Sequence, residues 1–127
     1  MLSILVVDDE ADVLKVLAKE LTAAGYKVVT ATTAKEGIQK AQETLPDLIL
    51  MDLLLPDMGG ADAVKIIKGY PELKDKPVLF LAAMVTPSED KGEALSINVG
   101  EDWYETVAKP YDKADLLSKI QKKIKAI

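Results

Sequence analysis

Leu2-Ser3-Ile4-Leu5-Val6-Val7-Asp8-Asp9 opens the chain with an apolar run that stops abruptly at two carboxylates. The design recurs twice: Leu48-Ile49-Leu50-Met51 runs into Asp52, and Val107-Ala108 runs into Lys109. Short apolar runs of this kind read as buried strands. In an open parallel sheet the carboxyl ends of the strands lie along one edge, and ligands bind in the crevice there. Asp8, Asp9, Asp52 and Lys109, far apart in the chain, are therefore expected to meet in one pocket.

Three carboxylates crowded together repel unless a cation sits among them, and their hard oxygens suit Mg²⁺ held by a few carboxylates and water. A lysine point charge beside them suits a phosphoryl group. Each residue also has a plainer reading. An aspartate after a strand often only caps the next helix, Asp52 could be a turn residue ahead of Pro56, and a lysine before a proline is commonly just solvated. A strand that ends in a carboxylate inside the shared crevice makes the better case for Asp52 as a nucleophile. Glu10 is expected to orient the acidic pocket or cap the first helix.

Working outward, apolar runs alternate with amphipathic stretches five times, the pattern of strands linked by crossover helices. The fold class is α/β, and residues 1–127 read as one domain. In the first helix Val13, Leu14, Leu17, Ala18 and Leu21 form one stripe, and Gly25 stands where a left-handed cap belongs. Strand two is Lys27 to Ala31. Thr33 and Glu36 make a capping box for the second helix, whose Ile38, Ala41 and Leu45 are expected to face the core before Pro46 ends it. Gly59-Gly60 breaks the loop after Asp52, and Ala63, Val64, Ile66 and Ile67 supply the buried face of the third helix. Val78 to Ala82 is strand four. Thr86-Pro87-Ser88-Glu89 reads as the start of a fourth helix that Gly92 interrupts. Strand five lies within Trp103 to Ala108, and Asp112 caps a last helix buried through Leu116, Leu117 and Ile120.

Composition narrows the chemistry. The 127 residues carry a net charge of -5 and contain neither cysteine nor histidine. The acidic balance argues against a direct nucleic-acid surface. Lacking cysteine, the chain has no disulfide or zinc-thiolate site, which is compatible with the cytoplasm. Lacking histidine, it has no imidazole base or ligand, so carboxylate, lysine and hydroxyl chemistry remain. No run is long and apolar enough to span a bilayer.

The acidic pair, the motif Asp52-Leu53-Leu54-Leu55-Pro56-Asp57-Met58-Gly59-Gly60 and the Lys109-Pro110 step resemble the receiver domain of two-component response regulators from Leu2 to about Ile124. The resemblance implies a flavodoxin-like (βα)5 doubly wound parallel sheet in strand order 2-1-3-4-5. It also implies Mg²⁺ held by Asp8, Asp9, Asp52 and the backbone carbonyl of Leu54, with Asp52 as phosphoacceptor and Lys109 on the phosphoryl group. The Lys109-Pro110 peptide bond is commonly cis in the family.

Two departures stand out. The family's hydroxyl residue at the end of strand four falls here on Ala82, and its switch aromatic falls on Thr106. Tyr104, one pleat repeat from Thr106 on the same strand face, is the candidate substitute. The positions that tune self-dephosphorylation fall on Leu54 and Met84, both apolar. The reading that results is a single-domain cytoplasmic receiver, a phosphoacceptor rather than an enzyme. It takes its phosphoryl group from a sensor histidine kinase or phosphotransfer protein and signals by protein contact through its helix 4, strand 5 and helix 5 surface. A phosphorylation-independent pseudo-receiver is the alternative. A haloacid-dehalogenase-type phosphohydrolase is disfavoured, because such enzymes carry Asp-x-Asp after the first strand and Asp52 is followed by Leu53-Leu54.

Overall fold

The strands that end at Asp8 and Asp52 are buried on both faces, which is why those segments lack polar alternation; the strand that ends at Lys109 is buried only toward that end. The computed structural model describes residues 1–82, 95–99, 102–109 and 111–125. In chain order the elements are β1 (Ser3–Val7), α1 (Ala11–Ala23), β2 (Lys27–Ala31), α2 (Ala34–Thr44), β3 (Leu48–Asp52), α3 (Gly60–Lys68), β4 (Val78–Ala82), β5 (Leu95–Val99), β6 (Asp102–Ala108) and α4 (Lys113–Lys125). The sheet order is β2-β1-β3-β4-β6-β5. Its first five strands are parallel, so the expected order 2-1-3-4-5 holds with β6 as the fifth parallel strand.

The addition is β5, which pairs antiparallel with β6 from Leu95↔Thr106 to Val99↔Asp102 and forms the sheet edge. The expected helix start at Thr86-Pro87-Ser88-Glu89, with Gly92, lies outside the described residues, as does Pro110.

Alternate positions along each strand face opposite layers. Leu5, Val7, Ile49, Met51 and Phe80 pack with Ala41, Ala63, Val64 and Ile67 of α2 and α3. Ile4, Val6, Leu50, Leu81 and Val107 pack with Leu14, Leu17 and Leu21 of α1 and with Leu116, Ile120 and Ile124 of α4. Burying apolar area on both faces at about 25 cal/mol per Å² is the main force holding the strand ends in place.

Local signals at the helix ends also appear. Gly25 has φ +99° just beyond α1, and its neighbour Tyr26 donates to the Leu21 carbonyl at 3.1 Å. Thr33 Oγ1 accepts from Glu36 N at 3.1 Å, while the Glu36 carboxylate accepts from Thr32 N at 2.8 Å, one residue before the reciprocal capping-box position. Asp112 accepts from Asp115 N at 3.1 Å.

Two core assignments need correcting. Leu45 is exposed, because it adopts the left-handed cap conformation (φ 47°) that turns the chain into Pro46. Ile66 is exposed because the buried stripe of α3 passes through Ala63, Val64 and Ile67.

Candidate functional site

Three strand ends place the site. Asp8 follows β1 and its amide donates to the Ala31 carbonyl at 3.1 Å, so the acidic pair begins where the β1–β2 ladder closes. Asp52 is the last residue of β3, in register with Leu81 of β4. The Lys109 amide donates to the Ala82 carbonyl at 3.0 Å, extending the β4–β6 ladder to the lysine. The backbone thus delivers all three to one edge before any side-chain interaction is made.

Gly60 is required by close approach. A Cβ there would overlap the Asp52 carbonyl oxygen and meet the Leu53 Cα at 3.1 Å. Its amide donates to the Leu53 carbonyl at 2.9 Å, and Leu54 bridges Gly59, so the turn carrying Leu54 folds back tightly beside Asp52.

At the centre lies Lys109, whose Nζ is 2.6 Å from Asp8 Oδ2, 3.3 Å from Asp52 Oδ2 and 3.3 Å from Glu10 Oε1. Asp8 is fully buried, Asp52 and the lysine side chain nearly so, and Asp9 and Glu10 face solvent. Asp8 Oδ1 accepts from the Glu10 amide at 2.9 Å. Asp8 Oδ2 accepts no hydrogen bond of ordinary geometry and is held by the charge of Lys109. Burial and the Asp8 charge push the Asp52 pKa up, with Lys109 pulling the other way. Burial works against the Lys109 charge, but Asp8 and Asp52 outweigh it and its pKa is raised, so the amine is cationic at neutral pH.

Asp8, Asp9, Glu10 and Asp52 each offer an oxygen within 4.8 Å of the others. Four carboxylates face one lysine, and the orphaned oxygen of buried Asp8 sits among them. That donor set, all hard oxygen with an excess of negative charge, fits a small divalent cation.

The structure therefore brings together Asp8, Asp9, Asp52 and Lys109, as the sequence indicated, with Glu10 as an orienting partner of the lysine rather than a side-chain cap of α1. It does not bring in Tyr104, which lies four positions before the end of β6, edge-on to Phe80 at 5.7 Å with Lys68 Nζ 5.8 Å above its ring. Ala82 is buried and Thr106 is buried with an Oγ1 that has no partner among the described residues. Met84 lies outside the described residues.

Sequence reasoning missed Asp57, whose two oxygens accept from Ala34 N and Lys35 N at 2.9 Å each and tie the turn after β3 to the start of α2. Those amide bonds lower its pKa. It also missed the hydrogen bond from the Tyr111 hydroxyl to Glu20 Oε1, 2.6 Å long and 91 positions apart in sequence.

Comparison with known proteins matches this arrangement. The response regulator receiver domain family matches residues 4–121. The transcriptional regulatory protein KdpE of Mycobacterium tuberculosis is 38% identical over 121 residues, 95% of this chain and 50% of that protein. The chain thus spans about half the length of that curated relative. Among solved structures, the chemotaxis protein CheY4 of Vibrio cholerae superposes with a TM-score of 0.81 at 30% identity, covering 97% of this chain and 98% of that one. The receiver domain of the sensor histidine kinase PA1611 from Pseudomonas aeruginosa, solved with a magnesium ion coordinated in its active-site cleft, superposes with a TM-score of 0.80 at 26% identity, covering 97% of each. With the family matched over nearly its whole length, the chain belongs to the response regulator receiver domains of two-component signalling.

Proposed function

We propose that Asp52 accepts a phosphoryl group from a phosphohistidine on a sensor histidine kinase or phosphotransfer protein. The observation that carries this reading is Lys109 Nζ lying between the buried carboxylates of Asp8 and Asp52. An Asp52 carboxylate oxygen attacks the phosphorus, the phosphorus–nitrogen bond breaks and its electron pair leaves on the imidazole. Lys109, already held at the pocket, meets an oxygen of the incoming group. Asp8, Asp9, Asp52 and the Leu54 carbonyl would hold Mg²⁺, which when bound supplies positive charge against the phosphoryl oxygens.

This makes the chain a phosphoacceptor that takes part in its own phosphorylation, not a turnover enzyme. Intact Asp8, Asp52 and Lys109 weigh against a phosphorylation-independent pseudo-receiver, which has no need to keep costly buried charges. Output is read as protein contact through the surface that includes β6 and α4, where Trp103 is exposed and Glu105 pairs with Lys123 at 3.2 Å. Among the described residues no helix is long and apolar enough to cross a membrane, in keeping with work in the cytoplasm.

The test is intact mass after incubation with a small phosphodonor, with and without Mg²⁺. A single phosphoryl adduct is expected on the wild type with metal, and none on Asp52→Asn. An adduct persisting on Asp52→Asn would sink the assignment.

A further inference from the structure

Tyr111 stands two positions beyond Lys109, and its hydroxyl donates to Glu20 Oε1 on α1 at 2.6 Å. The same helix reaches the lysine from its other end, since Glu10, at the position just before α1, lies 3.3 Å from Lys109 Nζ. Glu10 and Glu20 are about 15 Å apart along the helix axis at 1.5 Å per residue. One rigid element therefore holds Lys109 and Tyr111 at two separated points.

Between the grips lies an open groove of about 420 Å³ lined by Val13, Val16, Glu20, Lys109 and Tyr111, among others. Side chains do not fill this space, so packing alone does not set the distance between the lysine's segment and α1. The Tyr111 ring is packed against the α1–α4 core layer, which leaves its hydroxyl as the group that reaches across. A short bond from a neutral phenol to a carboxylate is charge-assisted and stronger than a neutral one. Burial and Glu20 both raise the phenol pKa, so the donor proton stays in place across the physiological range.

We propose that Tyr111, through its hydroxyl bond to Glu20, is a positioning residue that holds Lys109 against Asp8 and Asp52. The effect on phosphotransfer rests on the function proposed above; the effect on the lysine does not. Small displacements of a charge-stabilising group are costly in rate, because orientation contributes a large share of catalysis.

The test uses Tyr111→Phe, which keeps the ring and removes only the hydroxyl, together with Glu20→Gln and Glu20→Ala. Two readouts are taken at fixed pH: the Nζ and Cε resonances of Lys109 in the metal-free protein, and the phosphorylation rate with phosphoramidate at saturating Mg²⁺. Tyr111→Phe is expected to move the Lys109 resonances toward those of solvent-exposed lysines and to slow phosphorylation by roughly three- to tenfold. Glu20→Gln, which still accepts, should stay close to wild type, and Glu20→Ala should match Tyr111→Phe. The double variant Tyr111→Phe with Glu20→Ala should be no slower than either alone.

A purely structural role would lower the melting temperature and leave the lysine resonances in place. Unmoved resonances overturn the proposal, as does an unchanged rate in Tyr111→Phe when the wild type is phosphorylated. A wild type that takes no phosphoryl group would defeat the proposed function, and the resonances would still decide the positioning role.

Discussion

Lys109 Nζ sits closer to Asp8 Oδ2, at 2.6 Å, than to Asp52 Oδ2, at 3.3 Å. The lysine thus leans on the carboxylate with no access to water and leaves Asp52 less tightly paired. Asp8 needs the charge more, since an uncompensated buried carboxylate is among the costliest groups a fold can contain.

Removing the lysine exposes that dependence. Lys109→Met is expected to lower the unfolding free energy by roughly 3 kcal/mol in the absence of metal, because two buried carboxylates lose the one cation paired with them among the described residues. Millimolar Mg²⁺ should recover part of the loss by binding only the folded state. Urea melts with EDTA and with Mg²⁺ decide the matter, and an equal loss in both would count against a metal site at these carboxylates.

Asp52 has a definite pH signature in the metal-free protein. Its folded pKa is raised above the ordinary value of 3.8, by burial first and Asp8 second. A raised acid favours folding while it is protonated and loses that contribution as pH climbs from the unfolded value through the folded one. Asp52→Asn, which never ionises, should therefore match the wild type in stability below this interval, pull ahead through it and keep a constant lead above it. Urea melts across the acid-to-neutral range in EDTA test this; a lead that shrinks with rising pH would reverse the sign and refute the account.

Phosphoryl lifetime should be long. Leu54 is 60% exposed beside Asp52, and its apolar side chain has nothing with which to orient an attacking water. Leu54→Asn is expected to shorten the lifetime measurably in a quench time course, and a lifetime that stays the same or lengthens rules the explanation out.

Thr106 carries a buried hydroxyl without a partner among the described residues. Leaving such a group unsatisfied costs about 1–3 kcal/mol, so Thr106→Val, of nearly the same shape, should be neutral or stabilise by roughly 1 kcal/mol. A clear destabilisation in urea would reveal a partner for the hydroxyl. Ala82→Thr places on β4 the hydroxyl that the family resemblance expects at that position. It is expected to enlarge the amide shift changes at Trp103, Tyr104 and α4 on binding a phosphoryl mimic.

How far the chain could be read in advance follows from the range of each interaction. Strand ends bearing Asp8 and Asp52 were legible because burial on both faces writes an unbroken apolar run, and the turn to the pocket begins where it stops; at Lys109 only the short run Val107-Ala108 carried the signal. Capping at Thr33, Gly25 and Asp112 was legible because those contacts close within a few residues. β5 was missed despite the alternation Leu95-Ser96-Ile97-Asn98-Val99, which suits an antiparallel edge, because a helix was expected to precede the fifth parallel strand. Asp57 and Tyr111 were missed for a different reason. Their partners lie 22 to 91 positions away, and no periodicity within one element encodes an agreement between two.

Trp103 is the chain's single tryptophan, 70% exposed, on the strand that ends at Lys109. Six positions of strand, about 20 Å, separate the indole from the lysine, too far for an ion at the carboxylates to quench it by contact. The molecule consequently carries an intrinsic optical gauge sited at the far end of β6 from the pocket. Its emission should stay constant while a cation loads the carboxylates, and any change on phosphorylation measures how much of that event travels the length of the strand.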